Sequence, residues 1–328
     1  MSLLAEKPED DDKQTMAKAK RIRGIKCHDV ATAGIKLVLT ARFDEMYHFQ
    51  QAALDFTDPE GVHSMRVASR RLRSAMRDFL PYIRKRELTS LLKQTKNIAS
   101  VLGEVRDQDV AIAALEKIEK HAPAEAAAAL KQLIDTRKGV RDEARKSLHS
   151  TLVPKEMDQL RSEFSAGIDG ATSLRKTRAP LTYLKMSADV IDERLKELEE
   201  LSNSLYKPFE VEALHEMRIA AKRLRYALEL FQQCWGRALA GHAKSAAQMQ
   251  KALGDLHDCD IWIDSIGEQV NEARKQKHGE LEGLIWLLSH FVKLRTKHLR
   301  QAYDLWREWE AKDLGDQLRQ TFQTHASG

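Results

Sequence analysis

An internal repeat limits the folds that this chain can adopt. The segment HSMRVASRRLRSAM (residues 63–76) aligns without gaps to HEMRIAAKRLRYAL (residues 215–228), with eight of fourteen positions identical. A second pair, LGEVRDQDVAI (102–112) and LGDLHDCDIWI (253–263), is separated by almost the same number of residues. Two motifs in one register indicate that the chain consists of two copies of one structural unit.

Both copies lie in a chain that favours helix throughout. Glycine (15) and proline (7) are scarce among the 328 residues, and 42% of the residues are hydrophobic. We therefore predict an all-α fold of two pseudo-symmetric four-helix bundles. The main helices are expected near residues 30–55, 61–80, 86–118, 123–150, 180–204, 210–234, 237–268 and 278–313. The predicted parts are an N-terminal arm (1–29), a first repeat (30–152), an irregular crossover (153–178), a second repeat (179–315) and a C-terminal tail (316–328).

The repeated segment concentrates positive charge on one side of a helix. At about 100° per residue, its basic residues fall within a stripe of roughly 80°, and its apolar residues fall on the opposite side. The first basic stripe comprises His63, Arg66, Arg70, Arg73 and Arg77. The second basic stripe comprises His215, Arg218, Lys222 and Arg225, and Glu229 takes its fifth position.

The last helix of each half carries a weaker version of the same pattern. In the first half this pattern comprises Lys138, Arg141 and Arg145. In the second half it comprises His290, Lys293, Lys297 and Arg300. Lys93 and Lys244 recur at matching positions and are expected to make outer contacts. Together these faces would line a basic central groove or pore.

Stripes of a single sign differ from an ordinary solvated helix face, which mixes charges. Like charges about 6 Å apart repel by about 3 kcal/mol per pair at an effective dielectric near 20. A fold that keeps many such pairs is expected to offset them with a bound polyanion. Arginine outnumbers lysine in the first stripe, and its forked donors suit phosphate oxygens. We therefore predict a channel for a long, flexible chain of negative charge.

Two interpretations fit the acidic elements RDQD and HDCD that follow the stripes. Their aspartates are Asp107, Asp109, Asp258 and Asp260. They could bind a metal, since His257–Asp258 is reminiscent of metal-dependent phosphohydrolases, but the first copy has Arg106 in place of His257. We favour aspartates that hold arginines of the neighbouring helix. The sequence has no glycine-rich phosphate loop, G-x-S-x-G, HExxH or paired CxxC motif, so we predict no enzyme, no metal and no cofactor.

The paired motifs resemble those of a known family. H-x-M-R-[VI]-A-x-[RK]-R-L-R, present twice and followed each time by LG-x-x-x-D-x-D, is similar to the conserved histidine α-helical domain, CHAD. The resemblance implies two four-helix bundles around a central basic pore. It also implies non-catalytic binding of inorganic polyphosphate, often at polyphosphate granules. The implied pore-facing residues are His63, Arg66, Arg70 and Arg73, with His215, Arg218, Lys222 and Arg225.

The same resemblance leaves two details open. Arg71 and Arg223 match the motif but lie at the side of their stripes, so we expect them to pair with the acidic elements. Some family members carry a triphosphate-tunnel domain, whose E-x-E-x-K signature is absent from this sequence. The chain therefore resembles a stand-alone member.

Inorganic polyphosphate is the expected partner, and phosphate or sulfate ions are expected between the stripes in crystals. A nucleic acid is an alternative partner, although the stripes lack the aromatic residues on which RNA binders stack bases. A metal-dependent phosphohydrolase using the acidic elements and a scaffold for acidic proteins are further alternatives.

Composition also suggests a location. No apolar run approaches about 18 residues, and the acidic N-terminus lacks an apolar core, so we expect neither a membrane span nor a signal peptide. The scattered cysteines Cys27, Cys234 and Cys259 indicate unpaired thiols in a reducing compartment. We therefore expect a cytoplasmic protein that associates with polyphosphate granules.

Overall fold

The computed structural model describes residues 22–173, 181–276 and 281–326, which are mostly helical. The described helices are α1 (Ala31–His48), α2 (Gln50–Leu54), α3 (Pro59–Phe79), α4 (Lys85–Glu119), α5 (Ala124–Thr151), α6 (Pro154–Thr172), α7 (Tyr183–Glu200), α8 (Val211–Trp235), α9 (Ala240–Gln276), α10 (Leu281–Ala311) and α11 (Leu314–Ala326). In these ranges extended backbone pairs at one isolated bridge, between Val30 and Thr182. The all-α prediction is confirmed. None of these helices has the length and hydropathy needed to cross a membrane.

A side-chain cap and a close contact determine where α3, the helix that carries the first basic stripe, begins. The Asp58 side chain accepts a 2.9 Å hydrogen bond from the backbone N–H of Glu60, and Pro59 occupies the first turn, where its missing donor is not needed. Gly61 lets α2 approach closely, because a Cβ there would lie 1.9 Å from the carbonyl oxygen of Ala52. The cap and this contact set where the stripe begins.

Helices of similar length follow in the same order in the two halves. The stripe-bearing α3 precedes the long helices α4 and α5, and the stripe-bearing α8 precedes the long helices α9 and α10. Most of the predicted N-terminal arm (residues 1–21) and the end of the predicted crossover (174–178) lie outside the described residues.

Two separate apolar cores form along the long helices. The larger core joins α1, α3, α6, α7, α8 and α11 to one end of α4, α5, α9 and α10. The smaller core joins the other ends of those four helices. On α4 the larger core ends at Val105 and the smaller core begins at Ile112. On α9 the larger core ends at Leu256 and the smaller core begins at Cys259. Charged residues occupy both intervals, so a polar layer separates the two cores.

Two segments differ from the sequence-based expectation. The crossover is not irregular, because α6 packs its regularly spaced apolar residues into the larger core, where Phe164 stacks on Phe43 with centroids 4.2 Å apart.

The predicted tail is also helical. Phe322 of α11 packs on Trp235 with centroids 5.0 Å apart, and Arg319 forms an ion pair with Asp192.

The prediction of unpaired cysteines was wrong for two of the three. Cys27 and Cys234 form a disulfide with a Cα–Cα distance of 5.6 Å, and Cys259 is a buried free thiol. Both cysteines are held beside α7. Leu184 N–H donates a 2.7 Å hydrogen bond to the Cys27 carbonyl, and Nε1 of Trp235, the neighbour of Cys234, donates one of 2.7 Å to Oγ of Ser187. With two of the three cysteines bonded, the cysteines do not indicate a reducing compartment.

Candidate functional site

The two stripe-bearing helices pack against each other. Phe79 of α3 and Phe231 of α8 occupy matching positions of the repeat and meet edge to face, with centroids 6.1 Å apart. The guanidinium of Arg70 on α3 lies 5.7 Å from the ring centroid of Tyr226 on α8, which is within cation–π range. The first basic stripe therefore reaches the helix that carries the second.

Lys222 lies among arginines of both stripes. Burial and, after it, the positive charges of Arg70, Arg218, Arg77 and Arg66 together lower the pKa of its ammonium group from 10.5 to about 7. Three of these arginines belong to α3 and one to α8. After burial, all the charges that act most strongly on this lysine are cations, so its surroundings are net positive. We call Lys222 and these four arginines the cation cluster.

The remaining residues of the first stripe have also lost part of their hydration. Burial lowers the pKa of His63, and the charge of Arg106 is the next cause. Burial likewise lowers the pKa of Arg73. Both side chains are partly buried, whereas Arg77 at the end of the stripe is exposed. The stripe therefore runs from the partly buried His63 to solvent at Arg77.

Aspartates of the acidic elements contact arginines. Asp107 accepts a 2.9 Å hydrogen bond from Nη2 of Arg66, and Asp260 accepts one of 2.5 Å from Nε of Arg295. These contacts agree with the interpretation that the aspartates position arginines. Among the described residues, no group of three or more His, Cys, Asp and Glu side chains is arranged to hold a metal ion.

The glycine of each LG motif lies against an arginine of the corresponding stripe. A Cβ added to Gly103 would lie 3.8 Å from Nε of Arg66, and one added to Gly254 would lie 3.8 Å from Nε of Arg218. The same neighbour at the same distance in both halves indicates that the two motifs pack alike. A longer side chain at either glycine would compete with the arginine for this space.

The second stripe ends differently from the first. Arg225 is buried and forms an ion pair with Glu229, with Nε and Oε1 3.0 Å apart. Its guanidinium also lies 5.0 Å from the ring centroid of Tyr226. Because Glu229 balances its charge, Arg225 adds little to the positive field of the stripe.

The expected partners of two motif arginines were wrong. Arg71 lies 3.8 Å from Glu45 on α1, and Arg223 lies 3.3 Å from Glu197 on α7. Both arginines thus pair with acids of neighbouring helices other than α4 and α9. These pairs join the stripe-bearing helices to the rest of the larger core.

The basic residues of α5 have acidic partners. Arg141 and Arg145 lie 3.6 and 4.0 Å from Asp109, and Lys138 lies 3.8 Å from Glu116. They border the polar layer, but carboxylates offset much of their charge.

The contacts of α10 with its acidic element differ from those of α5. Asp109 pairs with Arg141 and Arg145, whereas its counterpart Asp260 pairs with Arg295, which aligns with neither of them. The residues expected at the site from this helix are exposed and form no ion pair with a described residue: Lys293, Lys297 and Arg300. At about 100° per residue, Lys293 lies roughly opposite the buried Phe291. The contacts therefore place Arg295, which sequence reasoning missed, at the polar layer.

Three secondary candidates do not belong to the cation cluster. His290 is partly buried and stacks on Trp286, with ring centroids 5.5 Å apart. Lys93 and Lys244 are exposed. None of these three is among the charges that act most strongly on Lys222.

Sequence reasoning also missed His257 as a site residue. Its Nδ1 lies 3.2 Å from Nδ1 of His215. Burial lowers the pKa of His257 to about 4, and the charges of Arg218, His215 and Lys222 contribute. The HD pair was visible in the sequence, but it was interpreted only as a metal motif.

These features define an all-α protein in which two basic helices of a repeat converge. The family model for the CHAD domain matches residues 37–267, so the chain belongs to the CHAD family. A crystal structure of the CHAD domain from the plant Ricinus communis is similar, with a TM-score of 0.65 and 20% identity over 87% of this chain and 94% of that one. PptA from Streptomyces chartreusis has a TM-score of 0.64 and 12% identity over 85% of this chain and 100% of its own. A comparison with curated protein sequences finds no match.

Proposed function

We propose that this protein binds inorganic polyphosphate along the cation cluster, without catalysis. The observation that carries the proposal is the environment of Lys222, whose pKa falls to about 7 through burial and the charges of four arginines from both stripes. A folded chain maintains such an excess of positive charge at a free-energy cost, which a bound polyanion offsets. Polyphosphate has a negative charge on every phosphate, and polyphosphate granules are the proposed location.

The residue types in the cluster suit phosphate. An arginine offers forked donors to two phosphate oxygens, and a lysine acts as a point charge. The aspartates that contact Arg66 and Arg295 would keep these guanidinium groups oriented before the ligand arrives. Preorganised donors lose less conformational entropy on binding, so oriented arginines should increase the affinity.

Two other functions have less support. A protein that binds RNA usually stacks bases on exposed aromatic rings, whereas Tyr226, the ring that Arg70 of the cation cluster contacts, is buried. A metal-dependent phosphohydrolase needs carboxylates free to bind metal, whereas Asp107 and Asp260 are engaged with arginines. A scaffold for acidic proteins would use the same cations but would not favour long phosphate chains.

The test is a binding titration of labelled long-chain polyphosphate with wild type and with the double variant Arg70→Glu/Lys222→Glu. Hydrogen bonds to charged groups contribute about 1.5–3 kcal/mol each, so losing two should weaken binding roughly 10²- to 10⁴-fold. The matched control is Lys146→Glu/Lys275→Glu, which reverses two exposed charges that pair with glutamates elsewhere. Equal affinities of the two double variants would refute the proposed site.

The same titration distinguishes the other functions. Mixed-sequence RNA that displaces polyphosphate at equal phosphate concentration would favour nucleic-acid binding. Release of phosphate with Mg²⁺ or Mn²⁺ that disappears in Asp258→Ala would favour hydrolysis. A third double variant, Lys293→Glu/Lys297→Glu, tests whether the site extends to the exposed side of α10.

A further inference from the structure

The two halves differ at the position where the acidic element meets the start of the stripe. The first half has Arg106 in RDQD, and the second has His257 in HDCD. Arg106 acts on the first stripe histidine, because its charge lowers the pKa of His63. His257 contacts the second stripe histidine, His215, directly. One end of the site therefore has a permanent cation where the other end has a titratable group.

The contact between the two histidines restricts their charge. Nδ1 of His215 and Nδ1 of His257 lie 3.2 Å apart, and the ring centroids lie 4.2 Å apart. At this distance the two nitrogens share one hydrogen, since one must donate and the other accept. A doubly protonated pair would place two N–H donors against each other. An anion that accepts from both rings would relieve that repulsion.

Charged and titratable groups from α4, α8, α9 and α10 surround the pair of histidines. From α8, Arg218 and Lys222 act on both histidines, and Glu212 and Glu216 act on His215. Asp255 and Asp258 lie on the same helix as His257, and from α4 the charge of Asp107 reaches Asp258. From α10, Arg295 is engaged with Asp260, and His298 lies 3.9 Å from Asp255.

Without a bound polyanion, these surroundings keep His215 and His257 largely uncharged near neutral pH. Burial and the nearby cations lower the pKa of both histidines, that of His257 to about 4. A polyanion at the cation cluster would reverse the sign of the local field and favour the charged rings. Proton binding and polyanion binding at this end would then strengthen each other, as linkage requires.

We propose that His257 and His215 form a proton-binding end of the polyanion site, which takes up protons together with the polyanion. The opposite end, with Arg106, is charged at every physiological pH. The proposal rests on the proposed polyphosphate function and adds His257 to its binding residues. It predicts that binding strengthens as the pH falls.

The experiment measures polyphosphate affinity from pH 5.0 to 6.5, a range below the lowered pKa of Lys222, about 7, in which this lysine is mostly protonated in the free protein. Each proton taken up increases the affinity by up to about tenfold per pH unit. Wild type should show this rise, and His257→Arg should bind more tightly at pH 6.5 with a flatter pH profile. His257→Gln should bind more weakly than wild type at pH 5.0 with a flatter profile, because His63 and His215 still titrate. The reciprocal variant Arg106→His should show a steeper profile than wild type.

The control is His149→Asn, which removes an exposed histidine of α5 and should retain the wild-type profile. Calorimetry in two buffers of different ionisation enthalpy counts the protons taken up and should give fewer for both His257 variants. Tight binding with the same pH profile in wild type and His257→Arg would overturn this inference and leave the proposed function intact. No polyphosphate binding at any pH would overturn both.

Discussion

Replacing Lys222 by methionine should stabilise the empty protein while it weakens polyanion binding. Methionine keeps the unbranched shape of the side chain and removes the ammonium group. In the native protein that group is partly buried beside Arg66, Arg70, Arg77 and Arg218. Its charged form is therefore less favourable in the folded chain than in the unfolded chain.

The size and pH dependence of this effect follow from the lowered pKa. A shift from 10.5 to about 7 corresponds to about 5 kcal/mol as an upper limit. Solvent and salt screen part of it, so we expect a gain of about 1–3 kcal/mol near pH 7. Between pH 7 and pH 10.5 the folded state binds fewer protons at Lys222 than the unfolded state does. The free energy of unfolding of wild type should therefore rise over this range.

Urea denaturation of wild type and Lys222→Met at pH 7 and pH 9.5 measures this effect. The variant should be more stable at pH 7, and its advantage should shrink at pH 9.5. Lys146→Met, at an exposed and paired lysine, is the control and should differ little from wild type. A Lys222→Met protein that is less stable than wild type at pH 7 would contradict this prediction, because it would show that neighbouring charges favour the ammonium group.

Three further predictions concern stability. Arg194→Ala should lower the free energy of unfolding by about 3–5 kcal/mol in a urea titration, because it leaves the buried carboxylate of Asp78 without its 3.0 Å partner; an unchanged midpoint would contradict this. Reduction of the Cys27–Cys234 disulfide should lower the Tm, with a loss of about 2–5 kcal/mol, and Cys27→Ser should have the same Tm with and without reductant. Ile266→Ala in the smaller core should destabilise by about 2–5 kcal/mol, and a loss below 1 kcal/mol would show that this core contributes little.

Periodicity and the repeat were sufficient to predict the fold class and the stripe-bearing helices. The apolar side of α3 is buried where its spacing placed it, as Met65 and Leu72 show. The helix α6 was missed because the segment 153–178 was interpreted as an irregular connection between the two repeats. The disulfide was missed because Cys27 and Cys234 are 207 residues apart, and no local pattern reports a contact over that distance.

The candidate site was only partly predictable. The stripes indicated which arginines share a helix face, but the contacts decide how much charge each one contributes. Arg225 is balanced by Glu229, four residues along the same helix, and that spacing was visible in the sequence. The position of Arg295 was not visible, because Arg295 aligns with neither of the two arginines of α5 that contact Asp109. The approach of Arg70 to Tyr226 depends on how α3 and α8 pack, which the pattern of either helix leaves open.

The salt dependence of polyphosphate binding distinguishes an extended polyanion along both stripes from a single bound phosphate group. A flexible polyanion gives a log–log slope of about −0.7 for each phosphate neutralised. Eight to ten contacts along the stripes and the polar layer should therefore give a slope of about −6 to −7 for long chains. Lone phosphate should bind far more weakly. A slope near −1, or equal affinities for lone phosphate and the long chain, would contradict the proposal that the two stripes bind one extended polyanion.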